Sequence, residues 1–200
     1  MPGDRQDLRR AVQARAFAQS GYFTAAQAKE AGYSYQAQKY HVDHGNWVRV
    51  DRGLFRLPEW PTDPTDPYVL WTLWSGGRGV VSHESALLLH GLSDVDPAKI
   101  HLTVPPGFRA RDTHVRLHVD TLEAADIDPR RGFSVTTVDR TLLDVAAVGL
   151  SQEHVDAAVA DAVRRELTAP RRLRRRAAHA SDKAALGVER ALNRLVTETA

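Results

Sequence analysis

Residues 32–57 read GYSYQAQKYHVDHGNWVRVDRGLFRL. The stretch holds Ser34, Tyr35, Gln36, Lys39, Tyr40, Arg49, Arg52 and Arg56. Hydroxyls and cations of this kind bond phosphate oxygens. Glutamine can pair with adenine through two bonds, and lysine or arginine can reach guanine. Recognition of double-stranded DNA is therefore the chemistry open to this set.

The elements that must carry them can be read locally. Ser34 is expected to cap a helix running to His44, where Gly45 stops it. Ala37, His41 and Val42 are the inward candidates on that helix. Tyr35, Gln36, Lys39 and Tyr40 then face out. NWVRV and LFRL alternate as strands around Asp51-Arg52-Gly53, a hairpin turn. Arg52 is expected at the tip. Arg49 and Arg56 are expected to share the hairpin face opposite Val48, Val50, Phe55 and Leu57. Upstream, residues 4–19 read as a helix with Leu8, Val12, Ala16 and Phe17 on one face. Thr24 and Gln27 are spaced as a capping box, and Gly32 closes the short helix they begin. Helix, helix, turn, helix, hairpin is the winged helix-turn-helix layout. The bland alternative for the helix is a solvated face on a small protein-binding domain.

The chain has 200 residues, 42% of them hydrophobic, enough for a buried core. No apolar run approaches the ~18 residues that span a bilayer. The start, MPGDRQDLRRAVQ, has no apolar stretch behind its charges, so a secretory signal is not expected and the cytoplasm is. The sequence has no cysteine, which excludes disulfides and thiolate-bound zinc. Net charge is only +2, with a pI near 9.1. Of the 27 basic residues only Lys29, Lys39, Lys99 and Lys183 are lysine, so 23 are arginine. Residues 1–57 hold nine basic and five acidic residues, a charge of +4, which leaves −2 for the rest.

PEWPTDPTDP, residues 58–67, packs four prolines into ten positions and is read as a stiff linker. The expected domains are 1–57, a winged helix-turn-helix, and 68–200, an α+β domain with a helical, arginine-rich tail. In the second, Asp66 and Pro67 open a helix, with Asp66 as cap. SHESALLLHG (82–91) is a helix capped by Ser82. KIHLTV and HVRLHV are strands joined by PPGFRARDT, and FSVT is a third. TVDRTLLDVAAVG and SQEHVDAAVADAVRREL are helices, followed by helical stretches near 170–179 and 182–197. Helices clustered around a few strands give the α+β class.

GYFTAAQAKEAGYSYQAQKYHVDHGNWVRVDRGLFRL resembles the N-terminal winged helix of AbiEi-type antitoxins of abortive-infection, type IV toxin–antitoxin pairs. The matching marks are Phe23-Thr24, Ala31-Gly32-Tyr33-Ser34, Gly45, Trp47-Val48-Arg49-Val50 and Arg52-Gly53-Leu54-Phe55. VVSHESALLLHGL, IHLTVPPG and VTTVDRTLLDVA follow in the family's order, so the resemblance covers about residues 20–168. It implies a DNA-binding autorepressor, acting on its own operator, that counters a nucleotidyltransferase toxin. Homo-oligomerisation on DNA is open. Relatives often carry arginines at the start of the recognition helix and an apolar residue near Gln38. Here Tyr35 and Gln36 stand first and Gln38 is polar, which fits a base reader better than a phosphate clamp.

RRELTAPRRLRRRAA carries seven arginines between 164 and 176. Arg171, Arg172, Arg174, Arg175 and Arg176 could meet nucleic acid, meet a partner, or only be solvated. His114 and His118 lie ~13 Å apart on a strand, too far for one ion. His41 and His44 have only Asp43 nearby, and no metal or cofactor is expected. Ser82-His83-Glu84 is a triad in letters only. Ser75-Gly-Gly-Arg-Gly79 lacks the lysine and hydroxyl of a phosphate loop and reads as a turn. Asp139, Asp144 and Glu153 suggest nuclease carboxylates, but a buried carboxylate paired with Arg140 is the better reading. No catalytic residue is assigned. The alternatives to the regulator are a nuclease-related protein and a protein-binding winged helix.

Overall fold

The computed structural model describes residues 5–92, 94 and 96–199. The chain divides into two compact units: residues 1–79 with 129–133, and residues 80–128 with 134–200. The class is α+β in both.

The first unit runs α1 (Arg5–Ala18), β1 (Tyr22–Thr24), α2 (Ala25–Glu30), α3 (Tyr35–Asp43), β2 (Val48–Asp51), β3 (Leu54–Arg56) and α4 (Asp66–Trp74). Residue 4, the expected first residue of α1, lies outside the described residues. The three strands form an antiparallel sheet in the order β1-β3-β2. The sequence pattern did not announce β1. It is three residues long and pairs Phe23 with Phe55, thirty-two positions on. Gly21, with φ +83°, makes the turn into it, and a Cβ there would meet the Trp60 ring at 2.4 Å. Val12, Ala16, Phe23, Ala28, Tyr33, Trp47 and Phe55 form the core. Trp47 is its hub: Phe23 meets it edge-on at 4.9 Å and Tyr33 at 5.0 Å.

No helix or strand occupies residues 57–65, yet the stretch is held. Trp60 packs edge-on against Phe17 at 4.9 Å, and Arg56 donates to the Pro61 carbonyl. Asp66 is not the cap expected of it. It is the first residue of α4, Thr65 precedes it, and its carboxylate receives Arg56 and the Asp63 N–H instead.

The second unit runs β4 (Val80–Val81), α5 (His83–Leu89), β5 (Ile100–Val104), β6 (Val115–Val119), a 3-10 turn (Ala124–Asp126), β7 (Ile127–Arg130), β8 (Phe133–Thr136), α6 (Val138–Val148), α7 (Gln152–Arg164), α8 (Pro170–Ala177) and α9 (Asp182–Thr199). Residues 129–130 of β7 and Phe133 of β8 are counted with the first unit. The sheet is mixed, in the order β6-β5-β4-β8-β7. β5 and β6 pair in parallel, as do β4 and β8, while β4 and β5 are antiparallel. Two strands were not expected. β4 is two residues long, and β7 contains Pro129, which only an edge position tolerates. Leu142, Val145, Val155, Val159, Leu173, Val188 and Leu192 bury the helical layer.

Ser82 precedes α5 but makes no capping bond; its hydroxyl meets Nδ1 of His83 at 2.9 Å. The reason lies in the backbone, since His83 sits at φ +53° and turns its ring inward. There His83 stacks on His118 at 3.4 Å between centroids, and His118 lies 3.4 Å from Nδ1 of His101. Burial, then the neighbouring imidazoles, lowers His83 to about 2 and His118 to about 4. Burial lowers His101 as well.

These rings stay neutral when folded, whereas an unfolded chain takes up protons near the ordinary value of 6.5. Stability is thus full above that value and falls as the pH drops below it. Thermal unfolding should show a falling midpoint between about pH 7 and pH 5, with the His83 and His118 ring resonances unshifted. Titration of either ring in the folded protein across that window would show the assignment to be wrong.

Candidate nucleic-acid interface

α2 and α3 are set by their caps. The Gln27 N–H donates to Thr24 Oγ1 at 3.1 Å, and Thr24 N–H donates to Gln27 Oε1 at 2.9 Å. Ser34 Oγ accepts the Ala37 N–H at 3.2 Å. Part of the Ser34 side chain is therefore committed to the helix start, though a hydroxyl retains its donor.

α3 presents Tyr35, Gln36, Lys39 and Tyr40 to solvent. Tyr35 is 64% exposed and Tyr40 55%, high values for such large rings. Ala37, His41 and Val42 are half-buried. The deepest residue of α3 is Gln38, 3% exposed, which the periodicity did not mark as inward. Its amide donates to the carbonyls of Ala25 at 3.0 Å and Tyr33 at 3.1 Å. A polar side chain thus fills an apolar place by satisfying two backbone oxygens. Among the exposed side chains, Lys39 pairs with Asp43 one turn on. Tyr40 stacks on His44 at 3.8 Å, and the Lys29 ammonium lies 5.3 Å above the Tyr35 ring. An exposed pair like Lys39–Asp43 holds by only ~0.5 kcal/mol, so Lys39 can exchange it for another acceptor.

The wing turns at Arg52-Gly53, where Gly53 adopts φ +71°. Arg52 is exposed at the tip, and its backbone N–H is held by Asp51. Arg49 and Arg56 do not share a face. The register sets Arg49 across from Phe55 and Arg56 across from Val48, and partners across an antiparallel pair point to the same side. Arg49 accordingly lies over the Phe55 ring at 5.8 Å, its side chain reaching solvent. Arg56 lies over Tyr22 at 4.8 Å and bonds Asp66 at 2.6 Å, with only 17% of its side chain exposed. A bulge between Arg49 and Asp51 breaks the alternation on β2, leaving Val48 and Val50 exposed. The structure therefore brings the α3 face and the wing tip into one unit and turns Arg56 to an internal task.

The arginine-rich α8 is sorted in the same way. Arg172 bonds Asp139, Arg174 bonds Glu189 at 2.9 Å, and Arg176 bonds Asp126. Arg171 and Arg175 are exposed. The carboxylate chemistry is also ion pairing. Arg140 donates to Asp144 at 2.7 Å, to Asp126 at 3.3 Å and to Asp120. Asp139 accepts from Thr168 and Arg172. A buried carboxylate paired with Arg140 was legible, and it is Asp144, whereas nothing local pointed to Asp120, Asp126 or Arg176. Burial pushes the Asp144 carboxyl up to about 6, against the pull of Arg140.

A small helical module with a capped, outward-facing second helix and a basic wing is a winged helix-turn-helix, a fold class defined by that order. Residues 10–58 match the family described as "Transcriptional regulator, AbiEi antitoxin". That match supports a regulator role of the antitoxin type for the module. The crystal structure of the RV2827C protein from Mycobacterium tuberculosis is similar in fold, with a TM-score of 0.60 at 18% identity. The likeness covers 96% of this chain and 78% of that one. No curated protein matches the chain. Among the described residues, no helix is long and apolar enough to cross a membrane.

Breaking the buried pair should cost far more than trimming the wing. Asp66→Ala strands Arg56 and should lower stability by about 3–5 kcal/mol in urea unfolding. Arg52→Ala should leave the unfolding midpoint unchanged. Equal effects of the two would contradict the division between internal and presented arginines. A carboxyl-carbon titration of Asp144 should show a midpoint near 6; a midpoint in the ordinary aspartate range would overturn its burial.

Proposed function

We propose that the protein is a DNA-binding autorepressor and the antitoxin of a type IV pair whose toxin is a nucleotidyltransferase. Residues 1–57 act as the reading module and residues 68–200 supply toxin-directed or oligomer contacts. What carries the reading is the exposed α3 face and wing tip, in a module whose sequence matches an antitoxin regulator family.

In this reading α3 enters the major groove. Gln36 reads a base edge, with adenine its natural partner. Lys39 releases Asp43 for guanine or phosphate. Tyr35, Tyr40 and Ser34 supply hydroxyls to the backbone. Arg52 inserts at the minor groove or a phosphate beside the wing, and Arg49 follows the same strand. Arg56 takes no part, because leaving Asp66 would strand a buried carboxylate. Arg171 and Arg175 are the two arginines of α8 suited to a second contact.

Binding to the protein's own promoter should weaken steeply with salt as counterions leave the DNA. Arg52→Ala should weaken binding to every sequence and reduce the salt slope by about one. Gln36→Ala should cost about 1–3 kcal/mol and relax preference at one base pair. A mobility-shift titration measures both, and equal affinity for promoter and scrambled duplex would sink operator recognition. Co-expression with the nucleotidyltransferase should restore growth, and continued arrest would remove the antitoxin half.

A further inference from the structure

The second unit contains a cleft of about 530 Å³ built from the end of β6, the 3-10 turn, α6 and the α8–α9 connection. That volume is in the range of small-molecule sites, roughly 300–1,000 Å³. Four carboxylates line it (Asp120, Glu123, Asp126 and Asp144) against two guanidiniums, Arg140 and Arg176. The lining therefore carries two more carboxylates than guanidiniums. Leu143, Ala147 and Ala184 give it an apolar wall.

The internal bonds account for most of the acid oxygens. Arg140 bridges Asp120, Asp126 and Asp144, and Arg176 takes the second oxygen of Asp126. The free oxygen of Asp120 receives the Thr121 N–H at 2.8 Å, and Glu123 caps the 3-10 turn. Asp144 is the exception. It is 93% buried, at 7% exposure, and only its Oδ1 is bonded, to Arg140. Oδ2 makes no hydrogen bond within the protein. A buried carboxylate oxygen without a donor is costly, and such a group lining a polar cleft points to a ligand that brings one.

The surplus of acid excludes an anion. Among the described residues no three carboxylates or imidazoles converge as a metal-binding group, so the acceptors suit a multi-atom cation. The apolar wall suits a short aliphatic stem beside the charged head.

We propose that this cleft binds an organic cation with several N–H donors, a guanidinium or primary ammonium on an aliphatic stem, anchored by Asp144 Oδ2. Two sources share that chemistry: a free amine of the polyamine type, and an arginine or lysine side chain of a partner protein. The site lies wholly in the second unit and does not depend on DNA recognition.

The test is a two-dimensional amide NMR titration of the full chain with two probes, agmatine and N-acetyl-arginine methylamide. Both should shift amides in 120–126, 140–147 and 176–184. Saturation by both shows that the head group is read and fits a partner's side chain. Saturation by agmatine alone assigns a free amine. Asp144→Asn should weaken binding at least about 10-fold, the loss of a charge-assisted bond. Glu153→Gln, on a separate groove along α7, should leave it unchanged. No shift by either probe at millimolar concentration would overturn the proposal, as would shifts mapping elsewhere. A response to magnesium chloride but not to the organic cations would overturn it too, as would wild-type affinity in Asp144→Asn. Should that variant fail to fold, the wild-type shift map decides alone.

Discussion

Taking a guanidinium out of water costs several kcal/mol unless a carboxylate receives it in good geometry. That constraint organises this arginine-rich chain. Arg56 is received by Asp66, Arg140 by three aspartates and Arg176 by Asp126, while the half-exposed Arg172 answers the buried Asp139. Apart from Arg140–Asp144 within α6, these pairs join separate segments of the chain. Arg56 ties the end of the wing to the first residue of α4, and Arg176 ties α8 to the 3-10 turn. On the wing and on α8, Arg49, Arg52, Arg171 and Arg175 are exposed instead.

Signals within one turn or one hairpin were legible from sequence. The Thr24–Gln27 box, the Ser34 cap, the Gly45 stop and the turn at Arg52-Gly53 all stand where residue chemistry placed them. So do the exposed Tyr35, Gln36, Lys39 and Tyr40. What failed required knowledge of a distant partner. β1 exists because Phe55 is there to pair with, and three residues carry no period of their own. Alternation put Arg49 and Arg56 on one face, but a bulge shifts the phase between Arg49 and Asp51. Asp66 looked like a cap because Pro67 follows it, yet it is the first residue of α4 and its carboxylate receives Arg56 and the Asp63 N–H. Ser82 lost its capping role to a histidine with an unusual backbone angle.

Gln38 shows how the same logic governs α3. An apolar residue would pack in its place, but it would leave the Ala25 and Tyr33 carbonyls without those two bonds. The amide instead fixes α3 to the start of α2 and to the loop between them. Direction matters more than depth here. A helix that reads base edges must hold its outward side chains within a narrow angular range. Two side-chain bonds to backbone set that angle more sharply than apolar contact, which tolerates sliding. The polar residue at an expected apolar position thus belongs with Tyr35 and Gln36 at the helix start.

The two units then carry opposite surfaces for a physical reason. Residues 1–79 with 129–133 hold a charge of +4 and the rest of the chain −2, although α8 is dense in arginine. Two of the α8 arginines, Arg172 and Arg176, are taken up by Asp139 and Asp126, and the cleft still keeps four carboxylates against two guanidiniums. A phosphate backbone entering that cleft would meet like charge in a partly desolvated setting, where repulsion is strongest. The lining of the cleft is therefore unsuited to a phosphate backbone. Exposed Arg171 and Arg175 can still touch DNA, but only from the outer side of α8, since Leu173 and Ala177 face the core.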